Sequence, residues 1–329
     1  MKKTSMQDIA DSLGISKNSV SHAFRDTDGV SESTKYKVYQ KADELGYVYK
    51  KQTQNIERGI ISILATDFAF SQTSFFGELI DHVENNLKNN NYTPRKVIIT
   101  KDMINSNTID SDLETSEGII IISHSNNQFL ERIISLNIPT VIVDHHEPNL
   151  IADAVLSKNT DGTYFALSLL AQNGHNTVGF IGDIAFSPSY LERYKGFCRG
   201  IKDFNLSSNP NIQITSIEET QGALFNSLKE VEIMPDAWFC VNSGLAFMLN
   251  SYLQSNGYTI PDDVSIICFD NTEFTRLSQP TITNIATDLK YMAKVSVETL
   301  MDRIDNPEHP IIHKQIVPSI NINKSVKII

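Results

Sequence analysis

Lys17, Asn18, Ser21 and His22 fall close together in the stretch Ile15–Arg25. At ~100° per residue, a helix would place all four within about half a turn. They offer an ammonium, an amide, a hydroxyl and an imidazole, with no carboxylate among them. Such a face can hydrogen-bond to base edges in the DNA major groove; the same composition also suits an ordinary solvated helix face. A second set is spread along the chain: Phe75, Phe76, Asp144, Arg193, Asn242 and Asp270. Asp144, Asn242 and Asp270 each follow a short apolar run, and the two rings and Arg193 stand at the starts of helical patterns. Rings that stack on a flat ligand, with an Arg, an amide and carboxylates to bond hydroxyls, suit a small polyhydroxylated or planar molecule. The alternatives are structural. Asp144 and Asp270 could cap turns, the two Phe could be core, and Arg193 could pair with Glu192 or Asp183. Asp144-His145-His146-Glu147 lacks metal-site spacing, so no metal is expected there.

Short helices must position the first set. Ser5-Met6-Gln7-Asp8 is a capping-box pattern opening a helix with Ile9, Ala10 and Leu13 on its apolar side. Gly14 ends that helix, and Ser16 stands as cap to the next, which buries Val20, Ala23 and Phe24. Ser31 caps a third helix, with Val38, Ala42 and Leu45 apolar and Gly46 closing it. Two short helices joined at a glycine, with a third behind, make a helix-turn-helix unit. The segment from Tyr49 to Gly59 is polar, without apolar periodicity, and reads as a tether.

From Ile60 onward, β-branched runs alternate with helical patterns. Strands are expected at 60–65, 96–100, 118–122, 140–144, 177–182, 237–241 and 264–270. Helices are expected at 75–90, 128–136, 160–172, 191–204, 245–256 and 289–304. This alternation predicts two doubly wound parallel sheets, in two α/β lobes. Ligands of such sheets bind beyond the carboxyl ends of the strands, where Asp144, Asn242 and Asp270 stand.

The chain has 329 residues and a net charge of −11, which by itself argues against nucleic acid. The distribution reverses that inference. Residues 1–58 carry ten Lys and Arg against eight acids, and the remainder eighteen against thirty-one. Phosphate contacts need local, not global, positive charge. Cys198, Cys240 and Cys268 show no paired spacing, which fits reduced, buried thiols in a cytosol. No apolar run reaches ~18 residues, and Met1-Lys2-Lys3 precedes no apolar stretch, so neither a membrane span nor a secretion signal is expected. Nucleophile-elbow, phosphate-loop, dinucleotide and zinc patterns are lacking, so neither an enzyme nor a cofactor is expected.

Met6-Gln7-Asp8-Ile9-Ala10, Gly14-Ile15-Ser16, Ser19-Val20-Ser21-His22, Val30-Ser31-Glu32-Ser33-Thr34 and Leu45-Gly46-Tyr47 resemble the headpiece of LacI/GalR-type bacterial transcription regulators. Arg193-Tyr194-Lys195-Gly196-Phe197, Ile260-Pro261-Asp262-Asp263-Val264 and Phe269-Asp270-Asn271 extend the resemblance to about Asn323. It implies a helix-turn-helix headpiece over 1–48 and a hinge over 49–59. It also implies a periplasmic-binding-protein-like body, its lobes formed by 60–157 with 288–316 and by 158–284 with 317–329. Lys17, Asn18 and His22 would then read bases, Ser5, Ser16 and Ser21 would hold phosphates, and Ile56 would wedge into the minor groove or simply lead into the next strand. Phe75, Phe76, Arg193 and Asp270 would touch the effector, with Asn242 and His145.

The implied protein is a cytoplasmic homodimeric repressor on a near-palindromic operator, controlled by a small effector: a sugar or sugar phosphate first, a purine-like compound second. Two rivals remain: a cytosolic sensor acting through a protein partner, and a sugar- or nucleoside-processing enzyme on the same body. The chain departs from the family at Tyr49, where proline is usual, and at Asn242-Ser243, where Asn-Asp is common. The first weakens the hinge helix, and the second removes an acid from the cleft.

Overall fold

The computed structural model describes residues 4–25, 29–47, 58–106 and 108–327, with no side-chain description at 25 and 32. The chain divides into two compact units, Met1–Arg58 and Gly59–Ile329.

The first unit holds three helices, α1 (Met6–Leu13), α2 (Lys17–Arg25) and α3 (Glu32–Glu44). Ser5 and Asp8 form the capping box at α1, each side chain reaching the other's backbone N–H. Gly14 adopts φ 66°, the left-handed backbone that a turn this tight requires and that glycine adopts freely. Ser16 Oγ accepts the Ser19 N–H at 3.0 Å, and Ser31 Oγ accepts that of Thr34. Ile9, Ala10, Val20, Ala23, Phe24, Val38 and Ala42 make one buried core. Leu45 departs from expectation: α3 has ended, and its side chain is 39% exposed. Aromatic rings close that end instead, with Tyr47 stacked on Phe24 at 5.6 Å and Tyr39 donating to the Ala23 carbonyl.

The second unit contains two six-stranded sheets. In chain order its elements are β1 (Ile60–Thr66), α4 (Asp67–Ser71), α5 (Phe75–Asn89), β2 (Thr93–Ile99), α6 (Lys101–Ser106), β3 (Gly118–Ile122), α7 (Asn127–Ile134), β4 (Thr140–Val143) and β5 (Asp153–Ser157). Then come α8 (Asn159–Gln172), β6 (Val178–Ile181), α9 (Pro188–Asp203), β7 (Gln213–Ile214), α10 (Gln221–Lys229), β8 (Ala237–Cys240), α11 (Ser243–Ser255), β9 (Ser265–Phe269) and α12 (Glu273–Leu277). The last are β10 (Thr283–Ala286), α13 (Leu289–Asp305), β11 (His313–Ile316) and β12 (Ser319–Asn321).

The first sheet runs β11-β5-β4-β3-β1-β2, all parallel; the second runs β12-β10-β9-β8-β6-β7, parallel except for antiparallel β12. β3, β4 and β5 are buried along their whole lengths, as parallel strands covered on both faces should be. β2 starts earlier than expected and includes Pro94, tolerated because β2 is an edge strand. Helix α9 starts at Pro188 rather than 191, because Ser187 caps it and proline suits the first helical position. Cys240 and Cys268 are buried, but Cys198 on α9 is exposed, against expectation.

The chain leaves the first sheet after β5, returns through α13 to β11, and crosses again to β12. A buried ion pair fixes the return. Arg303 grips Asp153 with Nε and Nη2 at 2.7 and 3.0 Å, and also donates to the carbonyls of Pro307 and Pro310. Asp153, 2% exposed, also accepts the Ile312 N–H, so one carboxylate ties α13, the following loop and edge strand β11. Arg303→Ala leaves that carboxylate unpaired, and we expect the body to lose about 3–5 kcal/mol in urea denaturation.

Candidate functional site

In the first unit, α2 buries Val20, Ala23 and Phe24 and turns Lys17, Asn18 and His22 outward, with Ser21 half-buried beside them. Ser5 and Ser16 are exposed at the starts of α1 and α2, where backbone N–H groups concentrate. The capping box and the Ser16 cap engage both hydroxyls internally. Ile56 lies outside the described residues, as does most of the expected hinge.

In the second unit, Arg193 organises a polar cluster. It is 2% exposed. Its Nε donates to Asn159 Oδ1 at 2.9 Å, and its Nη1 donates to the Val241 carbonyl at 2.7 Å and to Asp270 at 3.3 Å. The guanidinium lies 3.8 Å from the Phe269 ring centroid. The pairing alternatives with Glu192 and Asp183 therefore fail. The placement depends on helix packing: a Cβ at Gly196 would stand 2.4 Å from the Thr160 carbonyl, so glycine lets α9 lie against α8 and brings Arg193 to Asn159.

Asn242 caps α11 by accepting the Leu245 N–H, while its amide donates to Tyr190 at 2.6 Å and to Glu219 at 2.8 Å. Sequence reasoning missed Tyr190, Asn159 and Glu219. Asp270 and Asp144 each occupy left-handed backbone, φ 71° and 72°, just past their strands. Neither carboxylate caps a turn. Asp270 meets Arg193, and Asp144 Oδ1 is buried without a hydrogen-bond partner among the described residues. His145 is 3% exposed; its Nδ1 stands 3.1 Å from the Val143 carbonyl, and Nε2 has no partner among the described residues.

A cavity of about 250 Å³ opens between the sheets. Phe75, Glu78 and Lys290 line it from the first lobe, and Asp270, Ala286 and Asn321 from the second. Of the expected set, only Phe75 and Asp270 reach this wall; Asp144, Arg193 and Asn242 belong to the adjoining cluster. Phe76 is half-buried, edge-on to Phe75 at 5.2 Å, and packs on the first lobe's core.

Burial pushes the Asp144 carboxyl up to about 7, against the pull of Arg193 and with Asp270 and Glu192 adding to the rise. Burial also raises Asp270, opposed by Arg193. Glu219 is exposed as a residue, yet water lost around its carboxylate raises it too, against its bonds to Asn242 and Tyr190. Burial depresses His145 to about 3, keeping its imidazole neutral. No group of three or more metal-ligating side chains occurs among the described residues.

A helix-turn-helix unit and a two-sheet α/β body with a polar cleft define a DNA-binding regulator with a small-molecule domain. The family described as bacterial regulatory proteins, lacI family, matches residues 5–49, and the periplasmic binding protein-like domain matches 167–326. The HTH-type transcriptional repressors PurR of Vibrio campbellii (strain ATCC BAA-1116) and Vibrio parahaemolyticus are 27% and 28% identical, over 98% of each chain. The lac repressor dimer bound to operator and the anti-inducer ONPF shares the fold at TM-score 0.71 and 18% identity, over 98% of this chain and 99% of that one. The regulator CelR in complex with cellobiose does so at 0.72 and 17%, over 98% and 100%. The chain thus pairs a lacI-family headpiece with a periplasmic binding protein-like body, and along nearly its whole length it is similar to HTH-type transcriptional repressors.

Asp144 gives a pH test. A carboxyl raised from 3.8 towards 7 by folding stabilises the native state fully only below its unfolded value, and that contribution is lost as pH rises from about 4 to 7. Asp144→Asn should therefore be more stable than the parent at pH 8, by about 1–4 kcal/mol. The difference should vanish near pH 4 in paired denaturation curves.

Proposed function

We propose that the chain represses transcription as a cytoplasmic homodimer on a near-palindromic operator, with a small carbohydrate-type effector in the cleft between its lobes. The observation carrying this reading is the outward face of α2, where Lys17, Asn18 and His22 stand exposed over a buried apolar side. In this reading those three contact bases; Ser5, Ser16 and Ser21 contact phosphates, and Ile56 wedges into the minor groove. Two such helices on a symmetric dimer would address half-sites about 34–36 Å apart. Phe75, Arg193, Asn242 and Asp270 surround the effector, with Asp144 and His145 adjoining. Phe76 acts from behind Phe75.

The neighbours support a carbohydrate effector: CelR is solved with cellobiose and an Enterococcus faecium LacI-family regulator with ribose. The lobes are proposed as 60–157 with 288–316 and 158–284 with 317–329, joined to the headpiece through 49–59. No helix among the described residues is long and apolar enough to cross a membrane. In this reading the body binds its ligand rather than transforming it. An effector that changes operator affinity ~100-fold needs a coupling of about 2.7 kcal/mol.

Selection of bound fragments from random duplexes, followed by titration at several salt concentrations, tests the DNA reading. The affinity should fall steeply with salt, and a flat response overturns it. Asn18→Ala and His22→Ala should each relax preference at one position per half-site, at about 1–3 kcal/mol. Unchanged discrimination would remove those side chains from the reading face.

A further inference from the structure

The cleft is short of cations and rich in acceptors. Asp144, Glu192, Glu219 and Asp270 lie around a single guanidinium, that of Arg193. That guanidinium is largely committed inside the protein: Nε holds Asn159, and Nη1 holds Val241 and Asp270. Only Nη2 makes no bond among the described residues, so the two-pronged edge that grips a phosphate is not on offer. The cavity wall repeats the imbalance, with Glu78, Asp270 and Asp288 against Lys290. The amide of Asn242, a further donor that could have met an anion, is directed at Tyr190 and Glu219.

A second, independent observation is a pair of buried acceptors without donors among the described residues. Asp144 Oδ1 is buried without a partner, in a carboxylate close enough to Arg193, Asp270 and Glu192 to feel all three charges. The adjacent His145, 97% buried, leaves Nε2 without a partner as well. With Nδ1–H donating to the Val143 carbonyl, that Nε2 is a bare acceptor. Buried acceptors in native proteins normally meet donors.

We infer that the effector is a free, unphosphorylated sugar or amino sugar, a molecule rich in hydroxyl or ammonium donors, and that the cleft rejects phosphate esters. This rests on the effector reading of the cleft above. A hydroxyl or ammonium supplies the donors that Asp144 and His145 lack among the described residues. A sugar phosphate keeps most of those hydroxyls but adds about two negative charges at neutral pH, on a group that brings no donor of its own. It would sit against carboxylates whose buried cation, Arg193, is already bonded to Asn159, Val241 and Asp270.

The test is a thermal-shift and titration series on the full chain at pH 7.5 and constant ionic strength. Neutral pentoses, hexoses and disaccharides are screened beside matched amino sugars and matched phosphate esters, among them ribose with ribose 5-phosphate, and glucose with glucosamine and glucose 6-phosphate. A neutral or amino sugar should raise the Tm, with its phosphate ester weaker by on the order of 100-fold. Asp144→Asn with Glu219→Gln should narrow that gap by at least about tenfold, since it removes two of the repelling carboxylates. A phosphate ester that binds as well as or better than its parent overturns the charge rule while leaving the effector reading intact. Silence from all three series, in a chain that still binds selected duplex DNA, overturns the effector reading and the proposal with it.

Discussion

The body is arranged around one buried charge. A guanidinium as deep as that of Arg193 is tolerable only if its donors are matched and its charge is answered. Asp270 answers the charge from the end of β9, the Val241 carbonyl takes a donor just past β8, and Asn159 takes another at the head of α8. The Phe269 ring covers the face of the group. One side chain on α9 thus pins two strand ends and a helix start, and strand ends are where a parallel sheet places its ligands. Gly196 and Gly200 follow from the same demand, because side chains there would drive α9 off α8.

That pinning sets the electrostatics of the cleft. Asp144 and Asp270 both turn through left-handed backbone immediately after their strands, a conformation Asp tolerates better than most residues. With one guanidinium shared among several acids, desolvation outweighs attraction, and the carboxyls rise rather than fall. The acidity of the body therefore extends into the working site. The first 58 residues are separately balanced, ten Lys and Arg against eight acids, and the outward face of α2 carries no carboxylate.

What could be read from the chain follows from how local each signal is. Ser5 with Asp8, Gly14, Ser16 and Ser31 are local signals, complete within a few residues, and they place the three headpiece helices. Apolar runs such as 118–122 announce covered strands. The strand β11 does not, since its exposed His313, Lys314 and Gln315 leave no apolar pattern, and it is held by Asp153 and Arg303 instead. Ser187-Pro188 and Thr220 were readable as helix starts by cap chemistry, although the apolar pattern begins later. Leu45 kept the spacing of α3 but fell one residue past its end. Asp144, Arg193, Asn242 and Asp270 stood out by position after or beside apolar runs. Glu219 had no such marker: it lies in a loop, and its partner Asn242 is twenty-three positions away in the chain. The commitment of Arg193 to the protein is likewise a matter of tertiary geometry.

The unsatisfied acceptors connect stability to response. A buried acceptor without a donor costs about 1–3 kcal/mol. Asp144 Oδ1 and His145 Nε2 are such acceptors among the described residues. A molecule that brings donors to one arrangement of the lobes, and cannot reach the same atoms in another, has a different affinity for the two arrangements. That difference is all a ligand has available to shift a conformational equilibrium. A single satisfied acceptor is comparable to the coupling that changes affinity ~100-fold at a distant site. The destabilising chemistry at the end of β4 is thus of the right size to make the body responsive. A cleft already saturated by its own side chains would bind less selectively and would have less to gain from the ligand.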